Sequence, residues 1–243
     1  MLHPISVRGQ NVIELGNAKT QLYLPQLLGK EVAVVGNHTS VVGSDAGGVH
    51  LVDTLLASGV EVVHVFAPEH GFRGEAANGA VIQDGIDVAT GLKVFSLHGQ
   101  HKKPTPHQLE GIDVVVFDVQ DVGARFYTYI SSLLLVMEAC AEEEVELIVL
   151  DRPNPHGHHM QGPMLEPEFT SFVGFIPTPM VHALPLGDLA TMAVDESWVD
   201  LPQGWDFQVI RCVAWHHGMA LQLGSRPSPD LPTPQSVALS TNP

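Results

Sequence analysis

DVVVFDVQDVGARFYTYISS, residues 113–132, decides the fold. Residues 114–117 form an apolar run, too short for a helix and rich in β-branched side chains, which reads as a strand buried on both faces. Four polar side chains follow: Asp118, Gln120, Asp121 and, beyond Gly123, Arg125. Residues 126–144 then carry Ile130, Leu133, Leu134 and Met137 on one helical stripe. A strand, a polar turn containing glycine and a helix make half of a βαβ unit. In open α/β sheets, ligands bind at the carboxyl ends of strands, where this turn belongs.

The pattern recurs on either side. Residues 31–35, 60–66, 92–97 and 145–150 read as further strands, and helices are expected at 22–28, 45–58 and 186–194, with a short turn of helix at 105–109. Residues 75–91 are polar and Gly-rich and read as a loop. Five strands alternating with helices argue for an α/β domain with a mainly parallel sheet and right-handed crossovers. After Pro155 the texture changes: prolines recur, one more strand is expected at 205–213, and residues 224–243 show no periodicity. The run Glu142–Glu144 sits at the unfavourable end of a helix dipole and reads as a solvated face.

Composition excludes several functions. A formal charge of −16, with only 11 lysines and arginines, leaves no basic face for nucleic acid. No apolar run is long enough to span a bilayer. The opening MLHPISVRGQNVIELG has no basic flank followed by an apolar core, so no signal peptide is expected and the cytoplasm is the expected compartment. Cys140 and Cys212 lack metal-site spacing and read as buried thiols. The glycines at 36, 43, 47 and 48 make no GxGxxG, and neither a P-loop nor a GxSxG elbow occurs, so no cofactor is expected.

Parallel strands place their ends on one rim. That rim gathers Asn37 and His38; Glu69, His70 and Arg73; His98; Asp118, Gln120, Asp121 and Arg125; and Asp151, Arg152 and Asn154. Carboxylates, amides, imidazoles and guanidinium groups together suit general acid–base chemistry on a small polar substrate. Three of the chain's few arginines follow strands, as recognition of a carboxylate or phosphate requires, although each also stands beside acids it can neutralise. Glu69 is the first candidate for a catalytic carboxyl. It follows Pro68, which stiffens the turn, and lies between Phe66 and Phe72, a setting suited to a group that holds and releases a proton. Pairing of Glu69 with Arg73 is the blander reading. A metal-dependent hydrolase on the same rim is the competing one, with His38, Glu69, His70, Asp118, Asp121 and Asp151 as the hard or borderline ligands. No HExxH or Cys/His pattern supports a metal, and His156, His158 and His159 read as an exposed, incidental cluster in a Pro/Gly-rich loop.

Several longer segments carry a resemblance. PEHGFRG at 68–74, SLHG at 96–99, KPT at 103–105, DVQDVGARFYTYIS at 118–131, DRPNP at 151–155, GPML at 162–165, SFVGFIPTPMVHALPLGDLA at 171–190 and PSPDLPT at 227–233 resemble, in this order, the bacterial DUF1343 family, the exo-β-N-acetylmuramidases of the NamZ type. The resemblance covers nearly the whole chain from Gly29 onward. It implies a Rossmann-like domain over residues 1–155, followed over 156–243 by the start of a smaller C-terminal domain whose remainder lies beyond the last match. It implies an exo-acting glycosidase that releases N-acetylmuramic acid from non-reducing ends of peptidoglycan fragments. The partner is then a small glycan, neither nucleic acid nor membrane. A non-catalytic sugar-binding relative is the other outcome. Glu69 falls in the family's likeliest catalytic segment, with Asp118, Asp121 and Asp151 as candidates for a second carboxyl or for hydroxyl contacts. Tyr127 and His182, inside two of the matches, join the substrate contacts, and the lactyl carboxylate suits Arg73, Arg125 or Arg152. Departures are His98, Gln161 and Ala183, where the family usually has Tyr, Glu and Gly.

Overall fold

The computed structural model describes residues 13–43, 48–73, 84–202 and 204–219. The strands are β1 (Glu31–Gly36), β2 (Val41–Val42), β3 (Val49–His50), β4 (Glu61–Ala67), β5 (Gly85–Ile86), β6 (Lys93–Ser96), β7 (Val114–Asp118), β8 (Glu146–Leu150), β9 (Gln161–Met164), β10 (Pro179–Val181) and β11 (Gln208–Ile210). The α-helices are α1 (Thr20–Leu27), α2 (Leu51–Ala57), α3 (Pro106–Leu109), α4 (Tyr129–Glu142) and α5 (Leu186–Asp195).

Seven strands form the main sheet in the order β11-β8-β7-β1-β4-β6-β5. Every pairing is parallel except that of the short edge strand β5 with β6. Leaving β5 aside, the chain runs β1, β4, β6 toward one edge, then returns to β7, β8 and β11 toward the other. This is the doubly wound Rossmann order, whose direction reverses beside β1. The register pairs Val32 with Val114 and Gly36 with Asp118, so the ends of β1 and β7 lie side by side.

Alternation along the strands splits the core in two. Ala33, Val35, Val115, Phe117, Leu147 and Val149 face the layer of α4 and α5. Val32, Val34, Val114, Val116, Ile148 and Leu150 face α1 and α2. Because both faces are covered, the strands read as unbroken apolar runs rather than as alternation. Leu133, Leu134 and Met137 of α4 are fully buried, and each such side chain contributes roughly 1.5–3 kcal/mol on leaving water. The acidic end of α4 is offset by Lys103, which reaches Glu142 at 2.8 Å and Glu138 at 3.5 Å.

One expectation is corrected. The helix expected over 45–58 begins only at Leu51; Val49 and His50 pair instead with Val42 and Val41, His50 caps α2 through Nδ1, and residues 44–47 lie outside the described residues. The later strand, β11, pairs with β8 and completes the main sheet, while α5 packs on its face. Its flank is pinned by Trp205, whose indole N–H donates to the Val145 carbonyl at 3.1 Å. The hairpin β9–β10 was not expected at all. Of the 75–91 loop only 84–91 is described, and residues 224–243, with the PSPDLPT match, lie outside the described residues.

Candidate active site

The turns after β1 and β7 are stitched together at the switch point. Ser40 Oγ accepts from the Asn37 N–H at 2.9 Å and donates to the Asp118 carbonyl. Thr39 Oγ1 donates to Asn37 Oδ1 at 2.6 Å and accepts from the Gln120 N–H at 3.0 Å. Gln120 Nε2 spans to the carbonyls of Asp121 and Pro153 at 2.8 and 2.9 Å, tying in the turn after β8.

The crevice these turns frame holds Asn37, Glu69, Thr128 and Tyr129. The buried Asn37 donates to the Tyr129 hydroxyl at 3.1 Å. Burial, then the neighbouring Tyr127, Glu69 and Asp121, push the Tyr129 phenol well above its ordinary value, so it stays neutral. Glu69, half-buried, accepts from Thr128 Oγ1 at 3.1 Å. Its turn is tight: the Gly71 N–H bonds the Pro68 carbonyl at 3.1 Å, and both His70 (φ 74°) and Gly71 (φ 78°) are left-handed. The non-glycine His70 pays about 1–2 kcal/mol for that conformation, a strain found where a side chain must be aimed.

Asp121 is 6% exposed. Its Oδ2 accepts from the Gly123 N–H at 2.7 Å and lies 3.6 Å from Nε2 of the buried His182, while its Oδ1 is buried without a hydrogen-bond partner among the described residues. His182 is brought in by β10, which joins the post-β7 turn through the Arg125 N–H to Met180 carbonyl bond at 2.8 Å. Asn154 closes the group: it donates to the Leu184 carbonyl at 2.8 Å and stands 3.4 Å from His182 Nδ1. Gly123 (φ 83°) cannot be otherwise, because a Cβ there would meet Asn154 Oδ1 at 2.3 Å. Beside His182 an apolar cleft of about 540 Å³ opens, walled by Met160, Met164, Pro177, Met192 and Trp198.

The expected site residues therefore divide. Asn37, Glu69, Asp121, Asn154 and His182 converge through these contacts, with Gln120 beneath and Tyr127, whose ring meets Tyr129 at 5.6 Å, beside them. His70 is buried in the Glu69 turn and His38 half-buried after β1. His98 follows β6, next to β4, with Nδ1 buried and unpartnered among the described residues. Asp118, by contrast, is fully buried and held by Arg152 (Nε at 2.6 Å, Nη2 at 3.1 Å) and Asn17 (3.0 Å). Asp151 is spent on the N–H groups of Arg152 and Gly187 at 3.0 and 3.1 Å; burial raises its carboxyl to about 6. Arg73 pairs with Asp87 at 2.8 Å and Asp53 at 3.1 Å, not with Glu69, and its hydrogen bonds hold the Asp87 carboxyl down to about 2. Arg125 bonds only carbonyls, those of Pro163 (2.9 Å) and Thr178, and has no carboxylate partner among the described residues. Asn17, Thr128 and Tyr129 were missed: Asn17 lies in a featureless lead-in, and the other two sit at the start of an apolar helix stripe that hides their polar ends.

A mainly parallel sheet in this order, with carboxyl, amide, phenol and imidazole groups at its switch point, defines a Rossmann-like α/β domain. Residues 32–235 match the family described as "Exo-beta-N-acetylmuramidase NamZ, N-terminal", and the chain belongs to that family. It is similar to the peptidoglycan beta-N-acetylmuramidase NamZ of Bacillus subtilis (strain 168), at 40% identity over 88% of this chain and 52% of that protein. Two solved DUF1343 family proteins of Bacteroides fragilis NCTC 9343 are similar as well. One has a TM-score of 0.81 at 38% identity, covering 94% of this chain and 60% of that one. The other has a TM-score of 0.81 at 36% identity, covering 93% and 57%. The chain thus spans 52–60% of the length of these relatives. Among the described residues, no helix is long and apolar enough to cross a membrane.

Proposed function

We propose that this chain carries the acid–base half of an exo-acting glycosidase that releases N-acetylmuramic acid from non-reducing ends of peptidoglycan fragments. The observation that carries the reading is the pairing of two differently placed carboxyl groups about one neutral phenol: Glu69 on its strained turn and Asp121 against His182. Glycosidases divide their labour between two such groups. Glu69 donates the proton to the departing glycosidic oxygen, and Asp121, whose Oδ1 has no hydrogen-bond partner among the described residues, is the second carboxylate. The similarity to the Bacillus muramidase supports the substrate class. Of the three arginines expected to meet the lactyl carboxylate, Arg73 and Arg152 are neutralised by aspartates, which leaves Arg125 for that task. The apolar cleft beside His182 receives the sugar's methyl-bearing substituents.

The test is release of a chromophore from a β-N-acetylmuramide, with the matching N-acetylglucosaminide as control. Selective release from the muramide, lost by at least about 100-fold in Glu69→Gln while the circular dichroism spectrum is kept, is the expected result. Near-wild-type release by Glu69→Gln overturns the role of Glu69.

A further inference from the structure

The histidine loop after β8, which the sequence reads as an exposed cluster, is not uniformly exposed. His156 is buried, His159 half-buried and His158 exposed, and one ring nitrogen from each lies within 4.8 Å of the other two. Their ring centroids are 4.3, 5.6 and 6.1 Å apart. We infer that His156, His158 and His159 form a binding site for a borderline divalent transition-metal ion of the Zn²⁺ class, outside the acid–base group of the rim.

The backbone makes this more than three neighbours in a flexible loop. Asn154 Oδ1 accepts from the His156 N–H at 2.7 Å, the Gly157 N–H bonds the Asn154 carbonyl at 3.2 Å, and the His159 N–H bonds the His156 carbonyl at 3.2 Å. From the other side, the Gly218 N–H and His217 Nδ1 meet the Gly157 carbonyl, each at 3.3 Å. Trp215 lies so close over the loop that a Cβ at position 157 would meet its ring at 2.6 Å; the glycine of HGHH is what lets the loop pass beneath. The turn is therefore framed before any metal arrives, and only the side chains need adjust. Tetrahedral coordination at usual Zn–N lengths puts the nitrogens roughly 3.4 Å apart, which asks for shifts of about 1 Å by side-chain rotation. Imidazole donors select Zn²⁺, Cu²⁺ or Ni²⁺ over Mg²⁺ or Ca²⁺, which prefer oxygen. Three nitrogens leave one tetrahedral position open, on the side where His158 meets solvent. Asn154, which also reaches His182, links this loop to the rim, so a bound ion would hold that amide in place.

The experiment is titration of the metal-stripped chain with ZnCl₂ in competition with a chromophoric chelator, repeated with Co²⁺ for its visible spectrum. The exposed His158 and the half-buried His159 carry the test rather than the buried His156: His158→Asn and His159→Asn, with His107→Asn, a surface histidine elsewhere, as control. Expected are one equivalent bound by the wild type, a tetrahedral Co²⁺ spectrum, and affinity weakened at least tenfold in each ligand variant. Loss of even an outer partner to a metal typically costs about 10–100-fold. His107→Asn binds as the wild type does. Absence of saturable binding, or equal affinity in the wild type and the His158→Asn/His159→Asn double variant, overturns the site. Neither readout depends on glycosidase activity.

Discussion

Replacing Asp118 by Asn tests whether this strand-end carboxylate is structural. Asp118 is 0% and Arg152 6% exposed, and the carboxylate accepts two bonds from the guanidinium and one from Asn17. The amide keeps the shape but removes the charge, and it turns an NH₂ toward donors. Arg152 is then left buried without its counter-charge, a loss that costs about 3–5 kcal/mol. For a chain of this size each kcal/mol shifts the melting temperature by about 2–4 °C, so a drop of roughly 6–20 °C is expected. Thermal and urea unfolding followed by circular dichroism measure it. A second variant separates burial of charge from general damage: Asp118→Leu with Arg152→Met replaces the pair by apolar groups and should melt above Asp118→Asn alone. If Asp118→Asn melts within 2 °C of the wild type, the ion pair is not what fixes the end of β7, and Asp118 returns as a candidate for chemistry.

Other outcomes follow from the same geometry. Asp151 has its carboxyl raised to about 6 by burial, above its ordinary value, so the native state holds the extra proton. Its contribution to stability is full below the unfolded value and is lost as pH rises through about 6, a change of roughly 3 kcal/mol at most. The stability of Asp151→Asn relative to wild type should therefore improve between pH 5 and pH 7, and a flat difference in denaturant titrations refutes this. Ala183 adopts φ 61°, the left-handed region that glycine enters without strain; Ala183→Gly should raise stability by up to about 1 kcal/mol, and a lowered melting temperature contradicts that. Burial pushes the Cys140 thiol well up and the Cys212 thiol up to about 12, so neither should react with a thiol reagent at neutral pH until denaturant is added.

The sheet was legible because each central strand is an apolar, β-branched run buried on both faces and closed by polar residues. The hairpin β9–β10 was not, since Gln161, Gly162, Pro163 and Met164 are exposed and of low strand propensity, and gain their geometry only from pairing with each other. The place of β11 was hidden for a related reason: three residues announce a strand but not its neighbour. In the site, strand-end position brings Asn37, Glu69 and Asp121 to the turns that close β1, β4 and β7. It could not tell which acids an arginine holds, because Arg152 reaches Asp118 and Arg73 reaches Asp53 and Asp87 across separations that no local pattern encodes. His182 rested on the resemblance; its approach to Asp121 depends on β10, which local reading did not find.

The late arrival of β11 has a consequence for synthesis on the ribosome. Until Gln208–Ile210 emerges, Glu146–Leu150 is an open, apolar edge with its N–H and C=O groups unpaired on one side. Every group of the rim discussed above has by then been translated, so a nascent chain can own its chemistry before it owns its border. During that interval the vacant edge is a template for a neighbouring nascent chain, and chains cut between β8 and β11 will gather into aggregates rather than circulate as smaller working domains.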